Sequence, residues 1–321
     1  MWQPNLWGRH SPCQVLDTAV FGMPVWIKRD DLLHPTVSGN KFRKLKYPLR
    51  AVAEQVVAQQ TAESGAVTVP QLITMGGLWS NHVHATAHAA ALCGYASVGL
   101  VRGHVGMSSA MLDDCRVQGM QIQFVDRATY RTLRDDPDRW RDLVLDSEGN
   151  QAAVWLPEGG SVPAALHGVA ELIGELPFVP DVMVVACGTA ATLAGLLAGL
   201  QGRGRVIGIA VLRHADYLRD EVTRLLLQAG YPNYDNYQLL TDFHHGGYAK
   251  TTPQLLQFCR EFSAQCGVPV EPVYTGKVAY ALRELVRSGF ILESERVIML
   301  HTGGLQGARG QSVDELFCAG V

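Results

Sequence analysis

Long apolar runs are missing from this chain of 321 residues. A helix that spans a bilayer needs roughly 20 consecutive apolar residues, and no segment approaches that length. Residues 1–5 also lack the basic region, followed by an apolar one, that marks a secretory signal. We therefore predict a cytoplasmic protein with no membrane partner.

An excess of charge of one sign and closely paired cysteines are also lacking. The formal net charge is −3, with acidic and basic residues mixed along the chain, so no surface for a nucleic acid is predicted. The seven cysteines are odd in number, scattered and free of a C-x-x-C pair, which predicts reduced, mostly buried thiols. The content of 47% hydrophobic and 18% charged residues is typical of a globular protein with one large or two ordinary domains.

Lysine is scarce and unevenly placed. Only six of the 27 basic residues are lysines, and three of them, Lys41, Lys44 and Lys46, lie within six residues. An amine that only carries charge can be replaced by arginine, whereas one that condenses with a carbonyl must be lysine. The cluster therefore indicates a Schiff-base lysine, although a solvated basic turn that opens a helix fits this segment equally well.

Short apolar runs rich in valine and isoleucine alternate with longer segments of helical period. The runs lie at residues 72–75, 96–101, 121–125, 181–186, 206–212 and 296–300. Continuous apolar character is typical of strands buried on both faces, so the alternation predicts an α/β fold with parallel sheets covered by helices on each side. The polar, turn-rich segment 135–151 predicts a domain boundary or a surface excursion.

The first strand end with candidate functional residues follows the run at 72–75. Two glycines come next, and then Ser80 and Asn81 precede a segment that we predict to be helical through Ala91. Ligands bind where parallel strands end and the next helices begin. Because Ser and Asn are also common helix caps, a structural cap and an anion site for a substrate carboxylate both remain open.

Two further strand ends are rich in small residues. Residues 187–192 combine a glycine, two threonines and two alanines before a helix predicted at 196–201, a composition that suits a phosphate at a helix N-terminus. The segment is neither a Walker loop nor G-x-G-x-x-G. At 300–304, Gly303 and Gly304 permit close approach to a ligand or simply form a tight turn.

Together these segments resemble the fold-type-II pyridoxal-phosphate enzymes, and within them the D-cysteine desulfhydrase and 1-aminocyclopropane-1-carboxylate deaminase family. The resemblance rests on motifs that occur in family order along most of the chain. They are KRDDL at 28–32, SGNKFRKL at 38–45, GGLWSNH at 76–82, GGS at 159–161, GTAAT at 188–192, GGY at 246–248, EPVYTGK at 271–277 and HTGG at 301–304.

By this resemblance the cofactor is pyridoxal 5′-phosphate, held by Lys41 as a Schiff base. Lys44 and the loop at 188–192 are expected to bind its phosphate, Asn81 its phenolic oxygen and Thr275 its pyridine nitrogen. The expected cofactor-binding residues are Lys41, Lys44, Asn81, Gly188, Thr189, Ala190, Ala191, Thr192, Thr275 and Thr302.

The same resemblance implies a small amino-acid substrate beside the cofactor. Its carboxylate is expected at Ser80, Asn81 and His82, and Tyr248 and Tyr274 are expected to lie by the bound amino acid. Lys41 is the first candidate for removal of the α-proton, with the two tyrosines as alternates. The expected catalytic residues are Lys41, Ser80, Tyr274 and Tyr248.

The fold that the resemblance implies has two three-layer αβα domains with parallel-type sheets. A large cofactor-binding domain comprises residues 1–45 and 156–321, and a small domain comprises residues 46–155. Lys41 is then expected beside the cleft between them. Members of the family are commonly homodimers, so a homodimer is expected here.

Two positions bear on the substrate. The deaminases of the family carry Glu and Leu where this chain has Thr275 and Thr302, as the desulfhydrases do. A carboxylate favours a protonated pyridine ring and a strong electron sink, whereas a threonine hydroxyl leaves a weaker one. We therefore predict β-elimination from D-cysteine to pyruvate, ammonia and hydrogen sulfide, with the deamination of 1-aminocyclopropane-1-carboxylate as the alternative.

Four positions depart from the family pattern. Trp79 and His84 stand where the family often has Gln and Arg, and Ala190 and Ala191 replace two glycines, which requires both backbones to avoid positive φ. These departures leave a non-catalytic protein that carries the cofactor as an alternative. A metal shared by His84 and His88 on one helix face is another, although no carboxylate lies near them in sequence and no metal is expected.

Overall fold

The structure is a computed structural model that describes residues 4–62, 69–144 and 153–310. Within these ranges the strands are β1 (Cys13–Val15), β2 (Val25–Arg29), β3 (Gln71–Gly77), β4 (Ala96–Arg102), β5 (Gln121–Val125), β6 (Ala153–Leu156), β7 (Val182–Cys187), β8 (Arg205–Ala210), β9 (Tyr237–Leu240) and β10 (Val297–His301). The α-helices are α1 (Pro4–Trp7), α2 (Thr18–Phe21), α3 (Asn40–Ala62), α4 (Asn81–Cys93), α5 (Ala110–Val117), α6 (Arg127–Asp135), α7 (Pro163–Gly174), α8 (Ala191–Leu200), α9 (Leu218–Gln228), α10 (Pro253–Cys266) and α11 (Thr275–Arg287).

These strands form two sheets. The larger has the order β1-β2-β10-β7-β8-β9, and the smaller has the order β5-β4-β3-β6. Only β1 pairs antiparallel to its neighbour; all the other pairs in the described ranges are parallel. The fold is therefore α/β with sheets that are mainly parallel, as the alternation of apolar runs predicts.

The larger sheet is buried on both faces. Along β7, Val182 and Val184 pack into a cluster with side chains of α10 and α11, while Met183 and Val185 pack into a second cluster with side chains of α7, α8 and α9. Because successive side chains of a strand point to opposite faces, an unbroken apolar run fills both clusters at once. This explains why the interior of the run at 181–186 has no polar residue.

The smaller sheet is covered in the same way. Leu72 of β3 lies in a cluster with α3 and α4, and Ile73 lies in another with α6 and Trp140. Helix α4 is rich in alanine, and its N-cap is Ser80, whose side chain accepts a hydrogen bond from the Val83 amide. Both sheets thus have helices on each face, which gives three layers.

The structure confirms the six predicted strands, which correspond to β3, β4, β5, β7, β8 and β10. The shorter or more polar strands β1, β2, β6 and β9 were not predicted. The prediction of a helix at 196–201 after the 187–192 segment was wrong about its start, because the helix begins at Ala191. Of the small residues that looked like a loop, Ala191 and Thr192 belong to the first turn of α8.

The two predicted domain boundaries, at 45/46 and 155/156, remain predictions. The smaller sheet takes its strands from residues 71–156 and the larger sheet from both sides of that segment. Helix α3 runs through the predicted boundary at 45/46, and β6 runs through the one at 155/156. Part of the polar segment 135–151 is a 3₁₀ helix at Pro137–Asp142, and residues 145–151 lie outside the described ranges.

A membrane-spanning helix would have to be both long and apolar. None of the helices within residues 4–62, 69–144 and 153–310 meets both conditions.

Candidate active site

Lys41 lies on the first turn of α3 and is partly exposed. Its Nζ donates a hydrogen bond to Oδ1 of Asn40 at 3.1 Å. Burial among neighbouring groups lowers the pKa of Lys41 from 10.5 to about 8, because desolvation disfavours the charged amine. A larger fraction of this amine is therefore neutral, and able to attack a carbonyl, than of an ordinary lysine near neutral pH.

Asn40 links Lys41 to two other strand ends. Its Nδ2 donates to Oγ1 of Thr192 at 2.9 Å, on the first turn of α8, and its backbone amide donates to the carbonyl of Thr302 at 3.1 Å. The side chain of Asn40 therefore bridges the Lys41 amine and the N-terminus of α8. Sequence analysis assigned no role to Asn40, although it precedes Lys41 in a quoted motif.

Gly39 permits the close approach of the Lys41 segment to the turn at 302–304. Its φ is +64°, and a Cβ at this position would stand 1.9 Å from the carbonyl oxygen of Thr302. Side chains other than glycine rarely adopt this backbone conformation, and here there is also no space for one. The position of Lys41 thus depends on a glycine two residues before it.

We expect Gly39→Ala to destabilise the protein more than Gly22→Ala. Gly22 also has a positive φ, +79°, but a Cβ there would meet nothing within 4 Å, so it carries only the conformational cost of about 1–2 kcal/mol. The added clash at Gly39 should cost about 1–3 kcal/mol more. Denaturant unfolding of both variants measures the difference, and equal losses would show that the contact with Thr302 does not matter.

Lys44 lies one turn after Lys41 and is almost fully buried, with 2% of its surface exposed. Its Nζ donates to the Gly159 carbonyl at 3.0 Å and to Oγ1 of Thr189 at 3.2 Å, both of them neutral acceptors. Burial, with a further contribution from the charge of Lys41, holds the pKa of Lys44 well below its usual value. A buried amine that is bonded only to neutral oxygens suits an anion.

The N-terminus of α8 lies beside this amine. The N-cap is Ala190, which cannot cap the helix with its side chain, and the hydroxyls of Thr189 and Thr192 flank it. Unpaired amides at a helix N-terminus, a lysine and two hydroxyls are the donor set that a phosphate requires. The residues present therefore fit the phosphate of the expected cofactor.

Ala190 and Ala191 stand where the family has glycines, and neither adopts the positive φ that would strain an alanine. Ala190 has φ −67° and ψ −20°, Ala191 is helical, and neither has a positive φ. Gly188 remains a glycine where space is short, because a Cβ there would stand 3.1 Å from Cε1 of Tyr274. The loop thus keeps its shape with alanines at two positions.

Ser80 and Asn81 occupy the start of α4, as predicted. The Ser80 hydroxyl is used as the helix cap, which leaves its proton available for donation. Oδ1 of Asn81 is buried without a hydrogen-bond partner, and its amide lies against the backbone of Gly304 and Gly307. An unpaired buried acceptor is costly, and it indicates a polar ligand here.

His82 is buried, and neither ring nitrogen has a hydrogen-bond partner of good geometry. Burial, together with the charges of Lys41 and Lys44, holds the pKa of His82 well below 6.5, so the ring is neutral. A Cβ on Gly160 would stand 3.0 Å from its Cε1. His82 thus packs against Gly160, and its ring lies close enough to Lys41 and Lys44 for their charges to act on it.

Tyr274 and Tyr248 meet at the other side of the site. Their hydroxyls are 3.3 Å apart and their rings cross at 68°. Tyr274 is partly buried and Tyr248 is 46% exposed. Desolvation is the main cause that raises the pKa of both phenols, so both keep their protons at neutral pH. Each therefore suits proton donation better than proton removal.

Thr275 is fully buried at the start of α11, and its hydroxyl is already bonded to Glu271. The hydroxyl donates to Oε1 of Glu271 at 3.1 Å and accepts from the Glu271 amide at 3.2 Å. Glu271 also accepts from the amides of Val273, Tyr274 and Thr275. The Thr275 hydroxyl is thus hydrogen-bonded to a carboxylate. The prediction of a weaker electron sink treated this hydroxyl as if it stood alone.

Burial is the largest influence on Glu271 and raises its pKa to about 7, although the bonds from three amides and the Thr275 hydroxyl act in the opposite direction. The carboxyl is 1% exposed. The Glu-Pro-Val-Tyr motif that begins at Glu271 is visible in the sequence, but the spacing of its residues does not show the hydrogen bonds that the Glu271 carboxylate accepts. Thr302, the last of the expected cofactor residues, is nearly buried and contributes its carbonyl to Asn40.

The two positions next to the Ser-Asn pair that depart from the family pattern have structural contacts. Trp79 packs against the backbone of Gly310, where a Cβ would stand 2.6 Å from the indole. Nε2 of His84 bonds Oδ2 of Asp114 at 3.1 Å, and Nδ1 of His88 bonds the His84 carbonyl at 3.0 Å. Within residues 4–62, 69–144 and 153–310, no group of three or more His, Cys, Asp or Glu could hold a metal ion.

Glu158 is a further residue of the site that sequence analysis missed. Its carboxylate accepts a hydrogen bond of 2.6 Å from the Tyr130 hydroxyl, and its charge acts on both Tyr248 and Tyr274. It directly precedes the two glycines at 159–160 that contact Lys44 and His82. Its place before a quoted glycine motif was the only available signal.

Comparison with known proteins agrees with this arrangement. The family model for pyridoxal-phosphate dependent enzymes matches residues 8–303. The bifunctional D-cysteine desulfhydrase/1-aminocyclopropane-1-carboxylate deaminase, mitochondrial, of Arabidopsis thaliana is 31% identical over 312 residues, which cover 89% of this chain and 73% of the relative. The D-cysteine desulfhydrase of Yersinia pestis (strain Pestoides F) is 28% identical over 321 residues, covering 94% of this chain and 93% of the relative.

The fold is also similar to a solved structure. The crystal structure of an ACC deaminase homologue is 28% identical to this chain, with a TM-score of 0.81, and the match covers 97% of this chain and 94% of that one. The lysine at the start of α3, the anion site at α8 and this match along most of the chain lead to one conclusion. The chain belongs to the family of pyridoxal-phosphate dependent enzymes, and pyridoxal phosphate is its cofactor.

Proposed function

We propose that the protein catalyses β-elimination from D-cysteine, with water, to give pyruvate, ammonia and hydrogen sulfide. The proposal rests on the amine of Lys41, whose lowered pKa of about 8 leaves more of it neutral than in an ordinary lysine. Asn40 bonds this amine and also bonds Thr192 at the N-terminus of α8, where Lys44 and α8 form the expected phosphate site. Relatives named D-cysteine desulfhydrase support this choice of substrate. So do Thr275 and Thr302, which the desulfhydrases of the family share.

Each residue of the site has a proposed part in holding the cofactor. Lys41 would bind its carbonyl carbon, and Lys44 with Gly188, Thr189, Ala190, Ala191 and Thr192 would bind its phosphate. Asn81 would hold its phenolic oxygen and Thr275 its pyridine nitrogen, and Thr302 would complete the site from the turn at 301–304. When bound, pyridoxal phosphate stabilises the negative charge left on Cα of an amino acid that loses its α-proton.

The substrate carboxylate is proposed to bind at the N-terminus of α4. The amides there and the proton of the Ser80 hydroxyl are donors for it, while Asn81 and His82 line the deeper side. A fixed carboxylate orients the Cα–H bond toward the amine that removes the proton. With a pKa of about 8, Lys41 suits this task better than Tyr274 or Tyr248, whose raised pKa values keep them protonated.

Tyr274 and Tyr248 are proposed to act on the substrate side chain. A protonated phenol can donate a hydrogen bond to the sulfur as the Cβ–S bond breaks, and the two hydroxyls already lie 3.3 Å apart. Cleavage releases hydrosulfide, and water then replaces nitrogen on the three-carbon product to give pyruvate and ammonia.

Deamination of 1-aminocyclopropane-1-carboxylate is the second candidate, because one observation favours it. The carboxylate of Glu271 stands directly behind Thr275, so the pyridine nitrogen would be connected to a carboxylate through one hydroxyl. This strengthens the electron sink beyond that of an isolated threonine. The Arabidopsis relative carries both activities in its name.

The test is product release by the purified protein with added pyridoxal phosphate. We expect sulfide and pyruvate from D-cysteine, much less from L-cysteine, and little 2-oxobutyrate from 1-aminocyclopropane-1-carboxylate. Preferential release of 2-oxobutyrate would establish the second candidate instead. Release from none of the three compounds would contradict both.

We expect Lys44→Met to weaken binding of pyridoxal phosphate. A hydrogen bond to a charged group contributes about 1.5–3 kcal/mol, which corresponds to a loss of roughly 10- to 150-fold in affinity. Lys46→Met is the matched control, because Lys46 lies on the same helix but pairs with Glu171 away from the site. Absorbance titration measures the affinity of both variants for pyridoxal phosphate. Equal affinities would show that Lys44 does not bind the phosphate.

We also propose that the protein works in the cytoplasm as a homodimer without nucleic-acid or membrane partners. The family resemblance supports the dimer, and the balanced charge of −3 supports the absence of a polyanion partner. Light scattering coupled to gel filtration measures the mass in solution. A mass near 34.9 kDa would identify a monomer.

A further inference from the structure

Lys277 is a buried lysine that the proposed reaction does not use. It lies on the first turn of α11 and has no exposed surface. Its Nζ donates to the carbonyl of His244 at 2.8 Å and to the carbonyl of Gly247 at 2.9 Å. Both acceptors belong to the loop 244–250, which carries Tyr248 to the active site.

These two carbonyls are the acceptors of consecutive turns. The Gly247 amide donates to the His244 carbonyl at 3.0 Å, and the Lys250 amide donates to the Gly247 carbonyl at 3.1 Å. Lys277 therefore bonds both turns, one before Tyr248 and the other around it. A single ammonium thus holds two carbonyls of the segment that leads into Tyr248.

The loop needs such an anchor because its backbone is unfavourable. His245, Gly246, Gly247 and Ala249 all have positive φ, at 50°, 99°, 116° and 53°. For the histidine and the alanine this conformation is costly and is kept only when neighbouring contacts enforce it. The side chain of His245 adds a second tie through Thr252, at 3.1 Å.

We infer that Lys277 is a positioning residue that sets the place of Tyr248 opposite Tyr274. Its two bonds hold the turn before Tyr248 and the turn that contains Tyr248, and the Tyr248 hydroxyl lies 3.3 Å from that of Tyr274. Within residues 4–62, 69–144 and 153–310, the hydrogen bonds of the Lys277 amine go to the loop 244–250. It acts on catalysis through the loop, and this catalytic consequence rests on the proposed function.

Removing the ammonium should loosen the loop without unfolding the protein. Charge burial is itself costly, so replacement of a buried lysine by methionine, which has a similar shape, can leave overall stability nearly unchanged. Each carbonyl also keeps the amide of its own turn. The structural effect of Lys277→Met should therefore stay within residues 244–250.

Hydrogen exchange tests this part independently of activity. In Lys277→Met we expect the Gly247 and Lys250 amides to lose protection by about tenfold to a hundredfold, while the amides of α11 keep theirs. Lys250→Met is the matched control, since Lys250 is an exposed lysine of the same loop. Unchanged protection at 244–250, or a loss that spreads through α11, would overturn the inference.

A double-mutant cycle tests the part that involves Tyr248. We expect Lys277→Met and Tyr248→Ala each to lower kcat/KM for D-cysteine, and the double variant to be no worse than Tyr248→Ala alone, because Lys277 acts through that ring. Losses that multiply would show that Lys277 has another role. If no variant and no wild-type protein turns over the substrate, the proposed function fails while the exchange result still stands.

Discussion

Lys41→Ala should abolish turnover, with a loss of at least on the order of 10²–10⁴-fold in kcat, the range that removal of a general acid–base group produces. The variant also loses the amine that binds the cofactor covalently, so the true loss should exceed this range. Keto-acid release under saturating pyridoxal phosphate measures it. We expect the largest loss of turnover at Lys41, because its Nζ is proposed both to bind the cofactor and to remove the α-proton.

Lys46→Ala provides the comparison for this variant. Lys46 lies five residues later on α3, and its ammonium pairs with the carboxylate of Glu171. It should keep near wild-type turnover. A Lys41→Ala enzyme with wild-type activity would show that another lysine performs the chemistry.

The pH dependence of cofactor capture gives a second measure of Lys41. Its pKa of about 8 means that the amine is protonated, and unreactive, below that value and mostly neutral above it. The rate at which the cofactor-free protein captures pyridoxal phosphate should therefore rise with pH to a midpoint near 8. A midpoint near 10.5 would indicate an ordinary, solvated lysine.

Glu175→Gln should lower the free energy of unfolding by about 3–5 kcal/mol. The Glu175 carboxylate bonds Lys28 at 2.6 Å and Arg43 at 2.7 Å, and both cations are almost fully buried. The glutamine leaves these two charges with Asp30 as the remaining carboxylate, bonded to Arg43. Because Arg43 lies between Lys41 and Lys44 on α3, the network also fixes the helix that carries the site.

Glu171→Gln is the matched control, because Glu171 lies in the last turns of α7 and Glu175 is the C-cap residue of that helix. Glu171 pairs with Lys46, but its side chain is 37% exposed, so its loss should cost no more than about 1 kcal/mol. Denaturant unfolding compares the two variants. Equal losses would show that burial of the Glu175 network does not contribute as argued.

Acidification should reduce the difference between wild type and Glu175→Gln. Burial alone would raise the pKa of Glu175, but the hydrogen bonds and charges of Arg43 and Lys28 outweigh it and lower the pKa below 4.5. The stabilisation is therefore complete above pH 4.5 and is lost as the pH falls through the lower, folded-state value. A difference that grows on acidification would contradict this sign.

The sequence was sufficient to predict the strands with unbroken apolar runs. It failed for β2 because Lys28 and Arg29 lie within that strand, and charged residues there argue against a buried strand. Arg29 pairs with Asp31, two residues later, whereas Lys28 pairs with Glu175, which lies on a distant segment of the chain. Pairing between distant residues cannot be seen from local patterns.

The prediction of where α8 begins failed for a different reason. A glycine, two threonines and two alanines were taken as a loop, yet alanine is the best helix former and the backbone continues helically from Ala191. The proposed phosphate site remains at residues 188–192, because the N-terminus of α8 lies there. The correct boundary brings Thr192 to the first turn, where its hydroxyl reaches Asn40.

Motif order predicted which strand ends meet, but not the bonds between them. The Lys44 amine bonds the turns at 159 and 189, and Tyr274 packs on Gly188, as expected if the motifs form one site. The carboxylate behind Thr275 was not predicted, because the bond from Thr275 to Glu271 depends on the geometry of the first turn of α11. That bond weakens the argument that threonine alone distinguishes the two substrates.

Borohydride reduction of the protein loaded with pyridoxal phosphate, followed by peptide mapping, tests the central claim most directly. Reduction converts a lysine Schiff base into a stable secondary amine, so the modified residue can be located by mass. We predict that the label lies on Lys41 and that the visible absorbance band of the bound cofactor disappears at the same time. A label on Lys44 or Lys277, or no label on any lysine, would contradict the account.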